Sequence, residues 1–132
     1  MCSMTANVLH TISRKAAHYL NRRGYKVIRS VSLQERDTPE TFVCTRFGET
    51  LHVKQKICPN TLTSIAEVAR YCEDEIRVLR RQMKNNPPKT LEHYEILVTT
   101  LGKHFAVEVQ PDQLVDNKNG AVLSQRLGGV WG

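Results

Sequence analysis

TFVCTRFGETLHVKQKI, residues 41–57, holds two runs rich in β-branched and aromatic residues around a single glycine. Thr41–Phe47 and Thr50–Ile57 read as two strands, because such residues fit a pleated, half-buried surface. Gly48-Glu49 between them is a two-residue loop with glycine first, the pattern of a type II′ hairpin. Alternation puts Leu51, Val53, Gln55 and Ile57 on one face of the later strand, and His52, Lys54 and Lys56 on the other.

Upstream, Tyr25–Leu33 (YKVIRSVSL) reads as a strand, joined to the hairpin by the polar segment Gln34–Pro39. Before it, Thr5–Arg23 has helical period. Val8, Leu9, Ile12, Ala16, Tyr19 and Leu20 fall on one arc, and Arg14, Lys15, His18 and Arg22 on the opposite one. Gly24 stands where a helix C′ residue belongs. Downstream, Cys58-Pro59-Asn60 ends the strand, and Ser64 with Glu67 has capping-box spacing. Ile65, Val68, Ala69, Cys72, Ile76, Leu79 and Met83 make one unbroken helical stripe, which Asn85-Asn86-Pro87-Pro88 stops. Tyr94–Thr100 (YEILVTT) and Phe105–Val109 (FAVEV) read as strands. Asn119-Gly120 reads as a turn and Ala121–Leu127 as a short helix. The order is α-β-β-β-α-β-β. It predicts an α/β (α+β) single domain over residues 1–132, with a mixed central sheet flanked by helices. The core is expected at about residues 5–110, with 111–132 a weakly structured extension that includes Trp131.

The chain has 132 residues, 40% of them hydrophobic and 24% charged, which excludes a disordered tail. No apolar run approaches the roughly 20 residues of a membrane helix, so no membrane partner is expected. The net charge is +6, and residues 1–60 carry all of it, with ten basic and four acidic side chains. A basic half of this kind points to a polyanion, because lysine and arginine that neutralise phosphates release condensed counterions. Nucleic acid is therefore the expected partner, DNA ahead of RNA, with Arg14, Lys15, His18, Arg22 and Lys56 as the contacting residues. Cys2, Cys44, Cys58 and Cys72 contain no C-x-x-C pair. Cys44 and Cys72 lie at apolar positions and read as buried small hydrophobes. Together with the lack of a secretory signal, this predicts a reducing, cytoplasmic setting. A cleaved transit peptide is the competing reading of the basic N-terminus. His10, His93 and His104 are expected as polar surface or loop residues.

The order of elements, the tight hairpin Phe47–Thr50 and the strand YEILVTT after the second helix resemble the restriction-endonuclease-like superfamily, the PD-(D/E)xK nucleases, over about residues 5–100. The resemblance implies a carboxylate at the start of the second strand and another on the third, two residues before a lysine on the same face. Those carboxylates would hold a divalent metal, usually Mg²⁺. Here Pro39-Glu40 precedes the second strand and Lys54 takes the lysine position, but His52 stands where the second carboxylate is expected. The implied catalytic set is thus Glu40, His52 and Lys54, a degenerate motif. Mg²⁺ prefers oxygen ligands, and a histidine–glutamate pair suits Mn²⁺ or Zn²⁺ better. The reading that follows is a nucleic-acid-binding domain on a nuclease-like scaffold, catalytically impaired, with Mg²⁺ or Mn²⁺ as cofactor only if hydrolysis survives. Two alternatives stand beside it. One is a divergent metal-dependent nuclease. The other is a non-enzymatic protein-interaction or assembly module, self-associating or not. The first five elements also resemble double-stranded RNA-binding domains, but Thr61–Glu67 (TLTSIAE) lacks the lysines that family carries there.

Overall fold

The computed structural model describes residues 6–30, 41–100 and 103–123, with side chains from Thr11 onward in the first helix. Helix α1 (Ala6–Arg22) leads into strands β1 (Lys26–Ser30), β2 (Phe42–Arg46) and β3 (Glu49–Ile57). Helices α2 (Ile65–Tyr71) and α3 (Glu73–Asn85) follow, then β4 (Glu92–Thr99), β5 (His104–Val109), β6 (Leu114–Asp116) and β7 (Val122–Leu123). The strands form one sheet in sequence order, β1 to β7. Among the described strands only the β3–β4 pair is parallel, with Thr50 opposite Glu92 and Ile57 opposite Thr99. That pairing obliges the chain to return across the sheet between the two strands, and α2 with α3 makes the return. Both faces of the sheet are therefore covered. The order of elements and the mixed sheet flanked by helices agree with the α/β single domain expected from the sequence.

Strand alternation divides the interior into two cores. Ala16 and Leu20 of α1 pack on Phe42, Cys44, Leu51, Val53, Leu97 and Ala106. On the other face Val68, Ala69, Cys72, Ile76, Leu79 and Met83 pack on Ile96, Val98, Val107 and Val109. Successive residues of β4 serve opposite cores, which is why that strand reads as an almost continuous apolar run. Burial pushes the Cys44 and Cys72 thiols up to about 12, as expected of cysteines used for packing.

Helix α1 ends in a Schellman motif. The Tyr25 N–H donates to the Leu20 carbonyl (3.1 Å) and the Gly24 N–H to that of Asn21 (2.9 Å), with Gly24 at φ +91°. The Arg46 guanidinium adds a cap by donating to the Arg23 carbonyl at 2.8 Å.

Three local expectations are corrected. The hairpin turn is Phe47-Gly48, not Gly48-Glu49, because Arg46 pairs with Glu49. Both turn residues have positive φ, +52° and +80°, which makes it type I′ rather than II′. The type I′ twist suits the right-handed strands, and that gain outweighs the steric penalty at Phe47. Next, the single long helix is two helices, interrupted at Cys72. The Lys56 ammonium donates to the Tyr71 carbonyl at 2.9 Å, the acceptor a continuous helix would offer to the Glu75 N–H. Finally, the segment after Pro111 extends the sheet as β6 and β7, and Val122–Leu123 is strand where a short helix was expected. Asp116 through Gly120 make the intervening turn, with the Gly120 N–H donating to the Asp116 carbonyl at 2.7 Å. Trp131 lies outside the described residues.

A bulky side chain in the left-handed region costs about 1–2 kcal/mol. Phe47→Asn, which suits that conformation, is therefore expected to raise stability by about 1 kcal/mol. The urea midpoint should rise with an unchanged slope; a lower midpoint would contradict the strained turn.

Candidate nucleic-acid interface

The basic arc of α1 borders an open groove of about 690 Å³. Arg14, Lys15, His18, Asn21 and Arg22 line it from the helix, and His104 from the start of β5. Four residues expected from sequence to contact nucleic acid are thus brought together. The groove exists because the apolar arc of α1 lies on the sheet. That packing turns Arg14, Lys15, His18 and Arg22 outward, where all four are exposed. Among the described residues no carboxylate lines the groove. Among the described residues none of Arg14, Lys15 and Arg22 is ion-paired, so three cations share one concave surface without an internal counterion.

His104 is the residue that sequence reading missed here. Its ring lies 4.8 Å from that of Tyr19, and its Nδ1 is 3.1 Å from Thr99 Oγ1. Thr99 Oγ1 also accepts a 2.8 Å bond from Gln55 Nε2. Burial, with Arg22 and Lys15 close by, holds the His104 imidazole below the usual histidine range. The neutral form is favoured, and its hydroxyl anchor fixes the ring against the groove wall.

The residues of the nuclease motif are placed differently. Glu40 lies outside the described residues. His52 and Lys54 are on the α2–α3 face of β3, both half-buried. His52 stacks on Tyr94 with ring centres 4.7 Å apart, and its Nε2 is 3.2 Å from Glu92 Oε2. The Lys89 N–H donated to Glu92, with His52 beside it, holds that carboxyl below the usual range. Lys56 points between the helices. Its ammonium contacts Glu75 Oε1 at 2.8 Å, the Tyr71 carbonyl at 2.9 Å and the Tyr71 ring at 4.2 Å. It therefore belongs to the helix break and is not part of the α1 groove. One carboxylate already bonded to an imidazole is a poor donor set for Mg²⁺, which binds oxygens. Among the described residues no group of three His, Cys, Asp or Glu side chains is placed to share a metal. The arrangement of His52, Glu92 and Lys54 does not fit the metal that the fold resemblance implies.

A second polar cluster, unforeseen from sequence, lies beyond the C-terminus of α1. Glu95 of β4 is fully buried and its carboxylate takes three bonds. Arg23 donates two, at 2.7 and 2.9 Å, and Asn117 Nδ2 donates one at 2.6 Å. Burial alone would lower the Arg23 pKa, but bonding and attraction to Glu95 raise it. Nearby, His93 bridges strands, with Nε2 2.7 Å from Glu49 and Nδ1 3.1 Å from Glu108. These groups border a cleft of about 270 Å³ that also includes Arg46 and Tyr25. Unlike the α1 groove, it is lined by carboxylates, Glu49 and Glu108, as well as by cations. The available signal was Glu95 itself, a charge inside YEILVTT, because a buried carboxylate requires a partner.

Removing one partner of such a pair strands the other charge. Arg23→Met is expected to cost about 3–5 kcal/mol in denaturant unfolding, with part recovered in the Arg23→Met/Glu95→Leu double variant. A single-variant loss under about 1 kcal/mol would contradict the structural role of the pair.

No family model matches the sequence, and no match is found among curated proteins. Among solved structures, the chain is similar to Hjc, a Holliday junction resolvase from the archaeal hyperthermophile Archaeoglobus fulgidus, at 14% identity, with 91% of this chain and 95% of that one covered and a TM-score of 0.44.

Proposed function

We propose that this chain is a nucleic-acid-binding domain that holds a phosphate backbone in the groove beside α1. One observation carries the reading: Arg14, Lys15 and Arg22 converge on one groove, with no carboxylate among the described residues that line it. Bringing three like charges together destabilises the free protein slightly, and a polyanion removes that repulsion while releasing its own counterions. Asn21 and His104 supply further hydrogen-bonding groups at the wall. Contacts of this kind fix position along a strand and carry no sequence information. The hydrolytic motif is degenerate, with His52 bonded to Glu92 in place of a pair of free carboxylates, and this favours binding over cleavage.

A salt series of binding titrations tests the groove. For a single strand, each lost phosphate contact lowers the slope of log K against log salt by roughly 0.7. An Arg14→Gln/Lys15→Gln/Arg22→Gln variant should therefore bind more weakly and lose about two units of slope. An unchanged slope would place the contacts elsewhere. Cleavage that depends on Mn²⁺, is absent in EDTA and is lost in Glu40→Ala would instead establish the nuclease reading.

The groove also predicts a pH dependence. His104 has a folded pKa below its ordinary 6.5, so the folded protein binds this proton less readily than the unfolded chain. Its contribution to stability is present above about 6.5 and is lost as pH falls through the folded value. A phosphate beside the ring reverses the preference. Affinity for nucleic acid should rise as pH falls from 8 to 6, with proton uptake on binding, and His104→Gln should remove much of the rise. A pH-independent affinity in the unaltered protein would contradict a phosphate at this position.

A further inference from the structure

Phe47 at the tip of the β2–β3 hairpin is unusual in two independent ways. It is 93% exposed, while the next most exposed large hydrophobic residue described, Val122, is 57% exposed. It also has φ +52°, a conformation that an asparagine or glycine would adopt with far less strain. The free protein thus maintains a strained aromatic residue and gains no burial from it. Strained conformations of this kind gather at sites where a ligand repays them.

The ring is not isolated. Arg46 lies 6.0 Å from its centre and 4.2 Å from that of Tyr25. Arg23 lies 5.3 Å from Tyr25 and 5.4 Å from Tyr19. Tyr19 meets His104 at 4.8 Å, and His104 lines the α1 groove. Rings and guanidinium groups alternate from the groove wall to the hairpin tip. The inner members are held firmly, Arg23 by Glu95 and Arg46 by the Arg23 carbonyl. Phe47 is the outer end of this chain and presents an open aromatic surface next to a fixed cation.

We infer that Phe47 is a stacking platform for an unpaired base of the nucleic acid whose phosphates occupy the α1 groove. The inference rests on the groove reading and specifies its substrate class: single-stranded or locally unpaired nucleic acid in preference to continuous duplex. Every base offers a π-face, so an aromatic ring flanked by arginine grips a strand without choosing its sequence. In a continuous duplex those faces are covered by neighbouring bases, and only an unpaired position exposes one.

The test compares a labelled single-stranded DNA oligonucleotide with a duplex of equal length by fluorescence anisotropy at one salt concentration. Phe47→Ala should weaken single-strand binding about five-fold or more, the range for loss of one base–aromatic stack, and duplex binding by less than about two-fold. Phe47→Trp should retain single-strand binding. Phe47→Asn relieves the turn, so it should be more stable than the unaltered protein yet bind the single strand as weakly as the alanine variant. A residue with only a structural role would not separate those two readouts. Unchanged single-strand affinity in the alanine and asparagine variants, or an equal loss for duplex, would overturn the stacking role. If groove variants still abolished binding in that case, the groove reading would survive. If the unaltered protein bound neither substrate, both would fall.

Discussion

The ion pair between Arg23 and Glu95 joins the end of α1 to a central strand of the sheet. Arg23 follows the last residue of α1, and Glu95 sits fully buried in β4. A carboxylate at that depth is tolerable only if its lone pairs are met, and Arg23 with Asn117 meets them with three bonds. The geometry places demands in both directions. Helix α1 must end where Arg23 can reach the sheet, and the Schellman turn at Gly24 ends it there. The segment after β5 must return to bring Asn117 alongside, and the β6–β7 extension does so. Because the pair sets the position of α1 along the sheet, it also sets where Arg14, Lys15 and Arg22 present their charges.

The two faces of the sheet have consequently taken different roles. On the α1 face, the apolar core gives way toward the helix C-terminus to a polar and aromatic region running from His104 through Tyr19, Arg23 and Tyr25 to Arg46. On the α2–α3 face, the basic residues of β3 are taken up by neighbours. Lys56 is used to break a helix and His52 is held against Glu92 and Tyr94. Three basic residues on alternate positions of one strand look from sequence like a surface for a polyanion. The structure has spent two of them on internal contacts. The α1 cations differ because their face of the helix points away from the sheet and, among the described residues, no carboxylate lines the groove beside them.

What was legible in the sequence follows from periodicity. Alternation in residues 41–57 and the helical stripe of α1 specified the elements, the faces and the basic arc, because those patterns depend only on local geometry. What was hidden depends on contacts distant in sequence. The type I′ turn follows from the pairing of Arg46 with Glu49, which alternation alone does not determine. The interruption at Cys72 depends on Lys56, on a strand before the helix and with no mark in the helix itself. His93 and His104 read as surface residues because nothing near them in sequence names Glu49, Glu108, Thr99 or Tyr19 as partners. Glu95 is the intermediate case: a lone carboxylate in an apolar strand announces that a partner exists without saying which.

We propose that nucleic acid occupies the groove beside α1 and not the His52 face of β3. A ¹H–¹⁵N NMR titration with a short single-stranded oligonucleotide tests this most directly, because it reports on every backbone amide without altering the protein. The largest shifts are expected at residues 11–22 and at His104, with His52, Lys54 and Glu92 little changed. Shifts concentrated on His52, Lys54 and Glu92, with α1 unaffected, would contradict it.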